Sequence, residues 1–422
     1  MDSGLYRRLV EERRLLPHAE VDAAAARPED AYKVLEPTAL DFVSYPYEWC
    51  FSQFQDAALA TLAAQRRAVE HGMTLKDASA YNMQFRAGQP QLVDTLSFEA
   101  LREGQPWVAY RQFCQHFLAP LALMAGRDVR LSQLLRSNID GVPLDLASRL
   151  LPRRSWLSPG LLIHVHLHAL AQRRFAGRIV ADERQRGRGM GREALLGLNE
   201  SLDRAVGRLR WQAAGTAWAE YDRFHRYTET ALVEKQRLVE EFLDRVRPQS
   251  VWDLGANVGR FSRRASQRGI PTIAVDFDPA AVELNYLRVR EEKDEKLLPL
   301  VLDLTNPSPA LGWAGRERMS LAERGPAGAV FALALVHHLA ISNNVPLGML
   351  AEYLASLTRL VLIEFVPKED PQVQRLLVSR TDIFTEYSAD GFEAAFREHF
   401  VTQRRDPVGE SGRCLYWMER VE

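Results

Sequence analysis

Cysteine is scarce: Cys50, Cys114 and Cys414 are the only three in 422 residues, far apart and in no metal-ligand spacing. So odd and scattered a set argues against a disulfide framework and fits a reducing compartment. An excess of charge of one sign is missing too. The 54 Lys and Arg residues against 55 Asp and Glu leave a formal charge of −1. Such a balance gives no overall field to gather nucleic acid or an anionic membrane. Long apolar runs are also lacking. The two most apolar stretches, "LLIHVHLHALA" and "AVFALALVHHLAI", are too short and too rich in His to span a bilayer. Internal repeats are absent. The start, "MDSGLYRRLVEERRLL", is charged and has no apolar core of the signal-peptide kind, so the expectation is a cytoplasmic protein.

What is present suits a soluble globular chain too long for one ordinary core: 46% hydrophobic and 26% charged residues. Residues 1–45 are irregular, cut by Pro17, Pro28 and Pro37, with Pro46 just beyond. From "YEWCFSQFQDAALATLAAQRRAVEHG" apolar residues recur at helical spacing, and Gly72 fits the stop. "YNMQF" and "PQLVDT" read as short strands joined by "RAGQ", and residues 107–175 look helical. "QRRFAGRIVADERQRGRGMGR", 172–192, then carries seven arginines against two acids. It reads as an Arg/Gly-rich linker over 176–200, with an anion-contacting loop as the other reading. The expected division is an N-terminal domain over 1–175, that linker, a helical lead-in or cap over 201–249, and a second domain over 250–422. In the lead-in, Trp218, Tyr221, Tyr227 and Lys235 are positioned to reach a cationic or carboxylate group, or simply to face solvent on an amphipathic helix.

From residue 250 strand and helix alternate. Strands read at "SVWDL", "TIAVDF", "LPLVLDL", "GAVFALAL" and "RLVLIEF", nearly continuous in apolar character, as in a parallel sheet covered on both faces. The tail, "FVTQRRDPV", "GESG", "RCLYWMERV", is a hairpin that should end the sheet in an antiparallel pair. "VWDLGANVGRFS" ends a strand in Asp253 and holds Gly255, Asn257 and Gly259 before a helix, whose N-terminus supplies unpaired N–H donors. After the next strand Asp276 can accept both hydrogens of a ribose diol. Asp303 ends the third strand, within reach of an adenine amino group. The loop reads D-x-G-x-N-x-G rather than G-x-G-x-x-G. Its leading acid repels a pyrophosphate and attracts a cationic amino-acid group.

On these residues, 250–421 resemble a class I S-adenosylmethionine-dependent methyltransferase. The resemblance implies a Rossmann-like α/β fold, with a seven-stranded methyltransferase sheet and a terminal antiparallel hairpin. It implies S-adenosylmethionine as cofactor, with Asp253 and the backbone at Gly255 and Gly259 at its methionine part. Asp276 would take the ribose, Phe277 would lie against the adenine, and Asp303 and Leu304 would border the base. Asn257 stands where many members have Gly. Past the fourth and fifth strands lie His337, His338 and Glu364. Either His is a candidate general base for a substrate hydroxyl, and Glu364 is a base or part of the substrate wall.

"KDASAYNMQFRAGQPQLVDTLSFE" raises a second theme. Asp77, Asn82 five positions on, and Asp94 after a short hairpin have the spacing of a kinase catalytic Asp, metal-binding Asn and metal-binding Asp. Residues of roughly 45–175 resemble a mainly helical kinase C-terminal lobe of the aminoglycoside-phosphotransferase kind. Leu75–Lys76 and "VDTLSF" depart from the kinase phrases. No Gly-rich loop precedes, and Lys33 alone could mimic the lysine of the missing lobe. Three readings stay open: a degenerate lobe reused to bind substrate or a partner, an active nucleotide site, and chance similarity. "HVHLHA", 164–169, offers three His but no Cys or acid partner, and no metal is expected.

The whole chain, through "SYPYEW", "LKDASAYNMQF" and "VDTLSFE", resembles a bacterial group of class I methyltransferases with such an extension, some nodulation-type. The resemblance implies methyl transfer but no acceptor; the available His base points to a hydroxyl of a small molecule or saccharide, and the N-terminal domain is the expected place for a protein partner. One alternative is a bifunctional kinase–methyltransferase using Mg-ATP; the other is a cofactor-binding interaction protein without turnover. Neither nucleic acid nor a membrane is expected as a partner. "LVHHL" stands where an amino-methylating enzyme would carry an N-P-P-Y-like motif.

Overall fold

The computed structural model describes residues 3–175, 190–213, 229–378 and 380–421. The chain divides into two compact units, residues 1–212 and 213–422. Trp218, Tyr221 and Tyr227 lie outside the described residues, as does most of the arginine-rich stretch.

The first unit is organised on the helix Phe51–Glu70. Phe51, Phe54, Ala58, Leu62 and Val69 are buried along one face, as their spacing requires. The helix starts where the Gln53 side chain accepts the Cys50 N–H at 3.0 Å, and it stops before Gly72, whose φ of +71° suits a residue without Cβ. Residues 1–45 hold more order than expected. They form a helix, Leu5–Glu11, and an antiparallel pair, β1 (His18–Val21) and β2 (Val34–Pro37). Leu92 N–H donates to Arg14 and Leu16 N–H to Leu92, which ties this segment to the core. β3 (Met73–Leu75) pairs with β6 (Phe98–Ala100). Between them β4 (Met83–Arg86) and β5 (Gln89–Leu92) form the expected hairpin. Its turn is Ala87–Gly88, both at positive φ, as a two-residue hairpin turn demands.

The linker reading needs correcting at its C-terminal end. Residues 192–207 are a helix, not a linker followed by a cap. Its Leu195, Leu202 and Val206 are buried. Asn199 Nδ2 donates to Leu62 C=O at 2.9 Å, and Gln55 Nε2 to Val206 C=O at 2.9 Å. The helix therefore belongs to the first unit, and the boundary falls after Gln212. Neighbouring glycines and arginines masked an ordinary amphipathic pattern in the sequence.

The second unit is a seven-stranded, Rossmann-like sheet. Its strands are β7 (Val251–Leu254), β8 (Thr272–Asp276), β9 (Leu297–Val301), β10 (Ala329–Ala332), β11 (Leu360–Phe365), β12 (Phe400–Pro407) and β13 (Cys414–Arg420). The order is β12-β13-β11-β10-β7-β8-β9, with β9 through β11 parallel. β13 runs antiparallel between β11 and β12. The strand order reverses between β10 and β7, so the carboxyl ends of β7 to β10 frame a crevice. Helix Glu229–Val246 covers one face, with Phe242 edge-on to Phe331 and Trp417 at 5.9 and 5.1 Å.

Candidate cofactor cleft and a second acidic cluster

A cavity of about 400 Å³ opens at those carboxyl ends. Each parallel strand from β7 to β10 sends the residues just past its end into the lining. Asp253 comes from the third position of β7 and is buried. Its Oδ2 accepts the Ser262 hydroxyl at 2.6 Å. Burial pushes its carboxyl up to about 6, against the pull of Ser262 and Lys235. Asp276 ends β8. Its Oδ2 accepts the Asn257 N–H at 2.8 Å and its Oδ1 the Asp278 N–H at 2.9 Å, so it pins the β7 loop from below. It too is pushed up to about 6 by burial, which outweighs those backbone donors. A carboxylate oxygen has more than one acceptor site, so both acids can still accept ligand donors.

The loop geometry explains its residues. Gly255 has φ +78°, and a Cβ there would sit 3.2 Å from Leu335. Asn257 has φ +50°, a left-handed conformation that Asn tolerates better than most residues. Gly259 lines no part of the cavity. At φ +75° a Cβ would lie 2.5 Å from the Asn285 side chain, so this glycine serves close packing rather than ligand contact. The helix after the loop, Ser262–Ser266, begins later than expected, and the turn before it faces the cavity in place of a helix N-terminus. Phe277, 56% exposed, lines the cavity beside Asp303, Leu304 and Thr305. Asp303 Oδ1 accepts the Thr305 N–H and hydroxyl at 2.8 and 2.7 Å.

The three residues expected near the reacting atoms are separated by the structure. His338 lines the cavity. His337 lies behind it with its ring tilted, ring centroids 4.1 Å apart, buried and outside the lining, with no hydrogen-bond partner at Nδ1. Glu364 is fully buried and outside this lining: its Oε2 accepts Lys235 Nζ at 2.6 Å, and Arg413 lies 3.7 Å from Oε1. Neither His337 nor Glu364 lines the cavity in this arrangement. Burial, with Arg413 nearby, pushes His338 down to about 4, which keeps it neutral. Sequence reasoning missed Ser342, Asn343 and Leu376, which share the cavity end with His338. The polar cluster "SNN" just past the fourth strand was the available signal; Leu376 gave none.

In the first unit, Asn82 and Asp94 meet through Ser97. Asn82 Nδ2 donates to Ser97 Oγ at 3.2 Å, and that hydroxyl donates to Asp94 Oδ2 at 2.6 Å. Asp94 Oδ1 accepts the Leu96 N–H at 2.8 Å. Asp77 Oδ1 accepts Gln112 Nε2 at 2.8 Å and the Ser79 N–H at 2.9 Å. Lys33 pairs with Glu20 across β1 and β2. Among the described residues no three His, Cys, Asp or Glu gather as a metal site needs, and no helix is long and apolar enough to cross a membrane. The "HVHLHA" rings have hydroxyl neighbours. His164 Nδ1 lies 2.8 Å from Tyr110 Oη and Nε2 2.9 Å from Ser201 Oγ, and the two nitrogens of His166 each lie 2.8 Å from a serine Oγ, of Ser148 and Ser155.

No family model matches the chain. It is 35% identical over 423 aligned residues to "Nodulation protein NoeA" of Rhizobium meliloti (strain 1021), covering 99% of this chain and 89% of that one. Solved structures with a partial likeness include the bifunctional kinase-methyltransferase WbdD, at 15% identity and TM-score 0.33 over 47% of this chain and 41% of that one. Magnesium protoporphyrin IX methyltransferase (ChlM) from Synechocystis PCC 6803, with bound SAM, matches at 17% and 0.34 over 49% and 99%. The 16S rRNA methylase RmtB matches at 15% and 0.34 over 53% and 83%. The chain spans less than half the length of WbdD, and at these scores the three likenesses carry no argument about activity.

Proposed function

The chain belongs to the family of the nodulation protein NoeA, and from that premise and the cleft we propose that it is an S-adenosylmethionine-dependent methyltransferase acting on a hydroxyl of a small molecule or saccharide. One observation carries the reading: Asp253, Asp276 and Asp303, from three successive parallel strands, border a single cavity. Their spacing suits, in turn, the ammonium, the ribose diol and the adenine edge of that cofactor. Two buried acids pushed up to about 6 are an electrostatic demand for a cationic ligand. When bound, the cofactor supplies an electrophilic methyl group on a sulfonium. The protein's part is to hold the acceptor in line and dry, with Leu335 and Leu339 as apolar wall. His338, neutral, accepts the hydrogen bond of the acceptor hydroxyl and then its proton. A weak imidazole base suffices there, because an oxygen gaining a methyl group becomes strongly acidic.

Calorimetric titration of S-adenosylhomocysteine is the direct test. Binding is expected in wild type and at least 100-fold weaker in Asp276→Ala. It should also weaken as pH falls below about 6, by up to tenfold per pH unit for each of the two acids that must lose its proton. No binding at pH 7.5 would sink the proposal.

For the first unit we propose a kinase-like lobe that binds a substrate or partner without transferring phosphate. Its support is that no Gly-rich loop precedes the lobe, and that Lys33, which could mimic the lysine of the missing lobe, pairs with Glu20. Titration of Mg-ATP is expected to give no heat at millimolar concentration. Binding that disappears in Asp94→Ala would favour the bifunctional alternative instead.

A further inference from the structure

Four charged side chains are buried in line beside the cleft and have no place in the scheme above. Lys235 Nζ donates to Glu364 Oε2 at 2.6 Å. Glu364 Oε1 lies 3.7 Å from Arg413 Nη1, and Arg413 Nε donates to Asp370 Oδ2 at 2.7 Å. Asp370 Oδ1 in turn accepts the Gln372 N–H at 2.8 Å, capping the helix Pro371–Leu377. None of the four side chains is more than 7% exposed.

The two ends of this line both reach the cavity. Lys235 lines it near Asp253, with its ammonium 4.5 Å from the centroid of the Phe261 ring. Leu376, on the helix that Asp370 caps, lines it with Ser342 and Asn343. Buried ion pairs return little net stability compared with apolar packing, so four charges in a row call for another use. At the first end, a buried acid and a buried ammonium stand close together. That is the complement of an α-amino acid zwitterion: Asp253 for the ammonium group, Lys235 for the carboxylate. A carboxylate arriving at Lys235 divides its attraction between two anions. A Glu364 that turns more fully to Arg413 would draw that guanidinium from Asp370 and so loosen its hold on the helix cap.

We propose that Lys235 takes the carboxylate of the cofactor's amino-acid part, and that the line Lys235–Glu364–Arg413–Asp370 carries this occupancy to the helix Pro371–Leu377 at the acceptor end of the cleft. Lys235 is the binding residue; Glu364, Arg413 and Asp370 are positioning residues. The inference rests on the methyltransferase reading.

Two ligands separate the parts: S-adenosylhomocysteine, and 5′-methylthioadenosine, which lacks the amino-acid group. Lys235→Met is expected to weaken the first at least tenfold and leave the second unchanged. In hydrogen exchange, the first should shift the rates of amides 372–377 several-fold and the second should not. Arg413→Met should abolish that shift while keeping affinity within a few-fold. Asp370→Asn, which retains the cap acceptor and removes the charge, serves as a second variant should Arg413→Met fail to fold. Equal exchange shifts with both ligands, or an undiminished shift in the folded variant, overturn the inference alone. Absence of binding by either ligand overturns the methyltransferase reading, and this inference with it.

Discussion

Asp253→Asn is expected to make the unliganded protein more stable and to remove its affinity for the cofactor. Burial holds the Asp253 carboxyl at about 6 in the folded state. A carboxyl raised above its unfolded value stabilises the fold while protonated, and that contribution is lost as pH rises through about 6. At pH 7 and above, the ionised acid therefore costs the fold about 3 kcal/mol relative to a neutral group. Asn keeps the shape and an acceptor for Ser262 without the charge. Thermal unfolding should show a higher midpoint for the variant at pH 8 and convergence with wild type towards pH 4. Calorimetry on the same sample should show S-adenosylhomocysteine binding at least 100-fold weaker. A variant no more stable than wild type at pH 8 would mean the acid is not strained in the empty cleft.

Glu364→Gln is expected to unfold the second unit more readily, by about 3–5 kcal/mol, because Lys235 and Arg413 lose the anion between them. The expectation inverts what the sequence suggests for this residue. A glutamate at the end of the fifth parallel strand reads as a base or wall residue. Such a group could be neutralised with loss of turnover and little change in stability. Denaturant unfolding followed by near-ultraviolet dichroism distinguishes the two. The double variant Lys235→Met, Glu364→Leu should recover much of the loss, since apolar groups of similar volume replace a buried pair at little cost. A Glu364→Gln protein as stable as wild type would return the residue to the list of candidate bases.

Glu364 also shows where sequence reasoning reached and where it stopped. The succession of parallel strands along the chain and the acid at or near the end of each of the first three were legible, because strand burial leaves an unbroken apolar signature that an acid interrupts. The hairpin Met83–Leu92 was legible from its turn. Partners distant in sequence were not: Lys235 is 129 positions from Glu364, and no local pattern announces a lysine turned inward on an otherwise amphipathic helix. Nor could adjacent histidines be told apart. The chain turns between them into a π-helical stretch, His338–Ser342, that leaves His338 at the cavity and His337 behind it. The helix Arg192–Gly207 went unread for the opposite reason, since its charged exterior resembles a linker. In the acidic cluster of the first unit the spacing was readable, but Ser97 and Gln112, which take up Asp94 and Asp77, became partners only through folding.

The placement of β13 between β11 and β12 has a bearing on biosynthesis. Residues 414–420 leave the ribosome after β12, yet they occupy the inner position. Until they emerge, β11 is an open edge with a row of unpaired N–H and C=O groups beside apolar side chains, the kind of surface that pairs with other nascent chains. Arg413, at the head of β13, is also still missing, so Glu364 faces Lys235 without its second counter-charge. The cleft can be framed by β7 to β10 early in synthesis. Its charged flank is completed only by a segment made about 50 residues later than β11, so premature termination there would leave a nearly finished sheet with an adhesive edge.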